Sequence, residues 1–191
     1  MRHDNFIRTP RYVRIRTRGY LPHWQVDEAI YFVTFRLKDS LPRDVILKLK
    51  QEREHLLRNA ISSDRAKLDQ VFSIRLDHYL DTGVGSCLLR DHGGIIADAL
   101  KHFHGQKYEL HAWCVMPNHV HVMFYLERGE DLPRIVQSWK SFTAFRIGRG
   151  SIWGREYFDR LIRSPQEFAD TREYIRRNPE KAGLGNWPWV G

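Results

Sequence analysis

The chain predicts an α+β fold, a small antiparallel sheet with helices packed on one face. Three observations carry that reading. Runs of β-branched and aromatic residues alternate with stretches of helical period, in the order strand, helix, helix, strand, strand, helix, strand, helix. Two of the strand-like runs, "KYELHAWCVM" and "HVHVMFYL", are separated only by Pro117-Asn118, a turn pair that makes them antiparallel neighbours. No internal repeat or low-complexity segment interrupts the pattern.

The elements follow in order. Arginine stands at 2, 8, 11, 14, 16 and 18 among isolated aromatics with little amphipathic period, so 1–22 reads as a basic N-terminal arm, either contacting phosphates or simply solvated. Residues 23–191 read as a single domain with a helical insertion around 61–92. "AIYFVTFRL" (29–37) is a strand that puts Tyr31, Val33, Phe35 and Leu37 on one face. Residues 43–60 carry Val45, Ile46, Leu49, Leu56 and Leu57 as one stripe of a helix. From 61 to about 90 the signals are mixed, with "DTGVGS" as a loop. "IIADALKHFHG" (95–105) is a helix closed by glycine.

After the hairpin, Leu132, Ile135, Val136, Trp139, Phe142 and Phe145 recur at helical spacing, and "IWGREYFDRLIRS" supplies a further strand. Ser164-Pro165-Gln166-Glu167 opens the last helix with an N-cap serine, proline at the first position and glutamate at the third. That helix is expected to stop near Asn178, because a residue before proline disfavours the α conformation.

Composition narrows the partners. Over 191 residues, 31 Lys and Arg against 23 Asp and Glu leave a net charge of +8, which favours a polyanion such as nucleic acid. Cys87 and Cys114 form neither a disulfide framework nor a CxxC zinc spacing, which reads as a reducing, intracellular setting. No signal-peptide pattern and no run of eighteen apolar residues is present, so no membrane partner is expected and the location reads as cytoplasmic.

The chemistry concentrates in two places. His119 and His121, two apart on a strand, leave the same face while Val120 and Val122 take the other, so both imidazoles can reach one divalent ion or simply line a polar face. Tyr174 and Asn178, four apart, are neighbours on the last helix beside the apolar Phe168 and Ile175. A phenol beside a cation that lowers its pKa from about 10 is a competent nucleophile; the alternative is ordinary packing. Lys140, Arg155, Arg160, Arg163, Arg176 and Arg177 are candidates for tracking a DNA backbone, or else a solvated basic face. Trp113 and Trp139 fit core packing better than base stacking, and His111 either lines the site or faces solvent.

"HAWCVMPNHVHVMF", "WKSFTAF", "REYFDRLIRSPQEF" and "YIRRNPEKAGL" together resemble the motif series of the REP-associated tyrosine transposases, single-tyrosine members of the HUH group of single-strand DNA transposases. The resemblance runs from about residue 29 to 189; Glu180 stands where that family often has valine. It implies a ferredoxin-like sheet, Mg²⁺ or Mn²⁺ on His119 and His121 with Asn178 as third ligand, and Tyr174 as nucleophile. It further implies single-stranded or hairpin DNA as substrate, a 5′-phosphotyrosine intermediate, a nucleoid-associated location and a monomer or homodimer. Two other readings stay open, a catalytically inactive nucleic-acid-binding regulator and a metal-dependent phosphodiesterase that uses water.

Overall fold

The computed structural model describes residues 13–18, 21–26, 28–59 and 65–191. Arg2, Arg8 and Arg11 of the basic arm therefore lie outside the described residues. The remainder of the arm begins a hairpin, β1 (Val13–Arg18) against β2 (Leu21–Val26), and β2 lies beside the main sheet.

That sheet has four antiparallel strands: β3 (Ile30–Leu37), β4 (Tyr108–Val115), β5 (His119–Leu126) and β6 (Trp153–Ile162), in the spatial order β4-β5-β3-β6. The helices are α1 (Arg43–Asn59), α2 (Arg65–Leu80), α3 (Leu89–Lys101), α4 (Leu132–Ile147) and α5 (Pro165–Lys181). The α+β class and the antiparallel sheet are as expected. The helices, however, cover both faces rather than one.

Every residue of β5 is buried, and β3 is buried at all but Arg36, so both faces of the central strands need cover. Tyr31, Val33, Phe35 and Leu37 do share a face, packing with Val120, Val122 and Phe124 against α3 and α4. Ile30, Phe32, Met123 and Tyr125 point the other way, against α1, α2 and α5. The histidines of β5 lie on this second face.

Three expectations about helices change, in α3, α4 and α5; α2 lies in the segment of mixed signal. Its Ser73 and Asp77 are buried beside Phe72, Leu76 and Leu80, while Val71 and Ile74 are 42% and 62% exposed, so inward polar and outward apolar residues cancel the amphipathic period. α3 begins at Leu89, running through Gly93 and Gly94 instead of starting after them. In α4, Phe142 and Phe145 are 45% and 82% exposed, because Phe145 falls about 120° round the helix from Trp139 and Thr143 takes the next inward position. α5 continues to Lys181 with Pro179 inside it. The amide of Ala182 reaches the carbonyl of Asn178, and that of Leu184 the carbonyl of Pro179, so the last turn closes despite the missing donor. Its start is as expected, with the Glu167 amide donating to the Ser164 hydroxyl at 3.1 Å.

The C-terminal segment covers the free edge of β4. Trp113 and Gly191 exchange backbone hydrogen bonds of 2.7 and 3.0 Å, the Val115 amide donates to Trp189, and the Trp187 indole donates to the Val115 carbonyl. Trp189 fits here because Gly93 has no side chain: a Cβ on Gly93 would stand 2.3 Å from its ring, whereas one on Gly94 would stand 3.2 Å from the ring's far edge. Gly93→Ala is therefore expected to lose about 1–3 kcal/mol to overpacking, more than the roughly 1 kcal/mol of helix propensity it gains. Gly94→Ala should be neutral or slightly stabilising. Urea denaturation of the two variants checks the contrast.

Candidate active site

The hairpin turn sets the site. Asn118 is buried, its amide nitrogen donating to the carbonyls of Leu80 (3.0 Å) and Val84 (3.2 Å), which orients its oxygen toward His119 Nδ1 at 2.7 Å. That oxygen only accepts, so His119 carries its proton on Nδ1 and presents a lone pair at Nε2. Nε2 of His121 lies 2.9 Å away. The Nδ1 of His121 meets the hydroxyl of Thr34, its cross-strand partner, at 2.9 Å. A hydroxyl donates or accepts, so His121 is free to place its proton on Nε2, toward His119, or on Nδ1, leaving two converging lone pairs. Burial keeps both rings neutral: His121 is pushed down to about 3, and His119 well below its ordinary value by burial and by the neighbouring His121.

α2 and α5 bring acidic and phenolic groups to the same place. Asp77 Oδ1 lies 4.0 Å from His121 Nε2, and Asp81 Oδ1 lies 3.9 Å from His119 Nε2. The hydroxyl of Tyr174 donates to Asp77 Oδ2 at 2.8 Å, and its ring packs on His121 and Phe32. Burial raises Asp77 to about 7 and Asp81 to about 6. Burial first, and the Asp77 carboxylate second, hold the Tyr174 phenol above its ordinary range, opposite to the lowering that a cation would bring. One turn on, Asn178 is fully buried with neither amide atom hydrogen-bonded.

The two imidazoles, with carboxylates beside them, offer donors to a divalent cation. Two adjacent ligands of an octahedral ion at about 2.1 Å stand about 3.0 Å apart, close to the separation of the two Nε2 atoms. Both Nδ1 atoms already have partners, the arrangement that orients ligating histidines. Among the described residues no three His, Cys, Asp or Glu side chains are gathered at ligating distances. A cleft of about 510 Å³ opens over Tyr174 and Asp77, and a second of about 230 Å³ reaches His119 and Asp81.

The structure thus gathers His119, His121 and Tyr174, leaves Asn178 buried one turn beyond Tyr174 on α5, and adds Thr34, Asp77, Asp81 and Asn118. The basic candidates divide. Arg155, Arg163, Arg176 and Arg177 are exposed, Arg177 beside Glu173 and Glu180. Arg160 lies over the Phe32 ring and is hydrogen-bonded to Glu167 and Thr171, at the edge of the larger cleft. Lys140 is buried, its ammonium donating to the carbonyls of Gly154 (3.0 Å), Arg155 (3.5 Å) and Glu156 (3.4 Å), a structural post instead of a surface one. Burial lowers it to about 8. Lys140→Met is expected to cost about 1–3 kcal/mol of stability, read from urea unfolding. Trp113 and Trp139 are core residues, and His111 packs on Phe168.

Residues 93–178, which include the histidine pair, Tyr174 and Asn178, match the family model described as "Transposase IS200 like". The REP-associated tyrosine transposase of Escherichia coli (strain K12) is 31% identical over 88 residues, an alignment covering 43% of this chain and 53% of that protein. A Haemophilus influenzae relative is 29% identical over 101 residues, covering 43% and 57%. The chain spans little more than half the length of these curated relatives. A solved REP-associated tyrosine transposase bound to a REP hairpin shares the fold with a TM-score of 0.57 at 19% identity, covering 92% of this chain and 80% of that one. Over this part of its length the chain is similar to the REP-associated tyrosine transposases.

Proposed function

We propose that the protein binds, cleaves and rejoins single-stranded or hairpin DNA of the REP type through a 5′-phosphotyrosine on Tyr174, with Mg²⁺ or Mn²⁺ held by His119, His121 and Asn178. One observation carries the reading. Asp77 accepts from the Tyr174 hydroxyl with one oxygen and stands 4.0 Å from His121 Nε2 with the other, and that Nε2 lies 2.9 Å from the Nε2 of His119, within one chain and at the mouth of a cleft. The name of the Escherichia coli relative and the hairpin held by the solved neighbour support the substrate class.

In this reading the phenol oxygen of Tyr174 attacks a phosphate seated between the cleft and the histidines. Its proton passes to Asp77 Oδ2, the acceptor it already has, and the 3′-oxygen leaves and takes up a proton. The bound cation would supply charge stabilisation to the non-bridging phosphate oxygens. Asn118 and Thr34 hold the imidazoles in place, and Arg160 and Arg163 border the cleft where the DNA backbone would enter. Because the bond energy is kept in the phosphotyrosine, the free 3′-OH can reverse the step and rejoin strands. Tyr174 faces its own chain's histidines, which supports a site completed in cis in either a monomer or a homodimer. No helix among the described residues is long and apolar enough to cross a membrane, and a DNA substrate would put the protein at the nucleoid in the cytoplasm.

The test uses hairpin and single-stranded oligonucleotides from the palindromes flanking the gene, labelled at the 3′ end and incubated with Mn²⁺. A labelled protein band on a denaturing gel supports the reading. Free cleaved DNA without that band points to water as nucleophile, and hairpin binding without cleavage points to a regulator that has lost catalysis.

A further inference from the structure

We infer that Asp77 is a carboxylate ligand of the cation at His119 and His121, and that it ties the Tyr174 hydroxyl to that cation. The inference rests on the metal-dependent reading above. It adds a ligand from α2, an element that contributes nothing to the histidine and tyrosine motifs.

The two carboxylate oxygens are used differently. Oδ2 accepts from Tyr174 at 2.8 Å and from the Ser73 hydroxyl at 3.4 Å. Oδ1 is buried, without a hydrogen-bond partner, and faces His121 Nε2 at 4.0 Å. A buried, unpaired carboxylate oxygen is costly to keep, and native proteins retain such groups where a ligand completes them. Donors that share one octahedral ion with bonds of about 2.1 Å stand between roughly 3.0 and 4.2 Å apart, so with Oδ1 4.0 Å from His121 Nε2 a modest side-chain movement would bring Asp77 onto an ion held by the two histidines. A hard cation prefers oxygen, and two neutral imidazoles leave its charge uncompensated.

Asp81 is the less suitable carboxylate. Its side chain is 31% exposed, against 7% for Asp77, so water already solvates it and it stands at the rim. Asp77 is instead embedded with Phe72, Leu76 and Leu80, an apolar setting that α2 has no packing reason to give an aspartate. With Oδ1 on the ion and Oδ2 on the phenol, a single side chain would fix the distance between nucleophile and cation. Asp77 then acts on Tyr174 as a positioning residue.

The experiment is a Mn²⁺ titration of the full chain, followed by loss of the free-ion EPR signal. Wild-type protein is expected to bind, Asp77→Asn to bind at least about ten-fold more weakly, and Asp81→Asn to change affinity by less than that. Tyr174→Phe should keep its affinity at pH 8.5 or above, where Asp77 is deprotonated in both proteins, separating a ligand role from the phenol hydrogen bond. Asp77→Ser serves as a second variant if Asp77→Asn fails to fold by circular dichroism. If both Asp77 variants bind Mn²⁺ like wild type while His121→Ala does not, Asp77 is no ligand and the proposed function survives. If wild type binds no Mn²⁺, the ligand assignment falls together with the metal-dependent half of that function, whereas the adduct assay still decides the tyrosine half.

Discussion

Tyr174→Phe is expected to abolish the covalent protein–DNA adduct, a loss of more than about a thousand-fold, while hairpin binding stays within a factor of about two, since the phenol contributes one polar atom at the cleft. The substitution removes only the attacking oxygen. Phenylalanine keeps the ring that packs on His121 and Phe32, so the site retains its shape. It also leaves Asp77 Oδ2 without its strongest donor, so the carboxylate should hold its proton to still higher pH. Labelled adduct on a denaturing gel and hairpin affinity by band shift measure the two halves. An adduct of undiminished yield would move the nucleophile to another tyrosine, and free cleaved DNA in place of adduct would make water the nucleophile.

How much of this site was legible before folding depends on which residues belong to repeating patterns. His119 and His121 were readable because a strand's period of two assigns them a common face, and Tyr174 with Asn178 because a helix's near-period of four does the same. The hairpin was readable from Pro117-Asn118, yet the second role of Asn118 was not: its amide reaches back to the end of α2, a contact that local spacing does not encode. Asp77 was hidden for a related reason. It lies with Ser73 and Asp81 at spacings of four, but on the buried side of a helix whose apolar Val71 and Ile74 face outward, so the ordinary signal of a core-facing stripe was cancelled. That inversion was itself the available clue. A helix that turns polar residues inward at regular spacing has something polar to meet. The two-sided cover of the sheet was likewise present in the near-continuous apolar runs of β3 and β5, which an alternating, one-face pattern does not produce.

The same inward aspartate should make the metal-free protein pay in stability at neutral pH, and Asp77→Asn is expected to recover it. Burial raises Asp77 from 3.8 to about 7 in the folded state, so the folded protein holds this proton more tightly than the unfolded chain. Its contribution is fully present below about pH 3.8 and is lost as pH rises to about 7. His121 runs the other way: lowered from 6.5 to about 3, it stabilises fully above about pH 6.5, and that contribution is lost as pH falls toward 3. Between about pH 4 and 6.5 the two slopes oppose each other in wild type. Removing the carboxylate leaves the histidines uncompensated, so Asp77→Asn should track wild type near pH 4 and then gain on it. At about 1.4 kcal/mol per pKa unit, the gain reaches roughly 4 kcal/mol by pH 8, before any loss from weaker hydrogen bonding to Tyr174. Urea unfolding in EDTA at pH 4, 6 and 8 tests this, and a variant less stable than wild type at pH 8 contradicts it. Saturating Mn²⁺ should reverse the order at pH 8, because wild type then gains binding free energy that the variant largely lacks. A residue that weakens the empty fold and strengthens the loaded one is retained for the cation, not for the core.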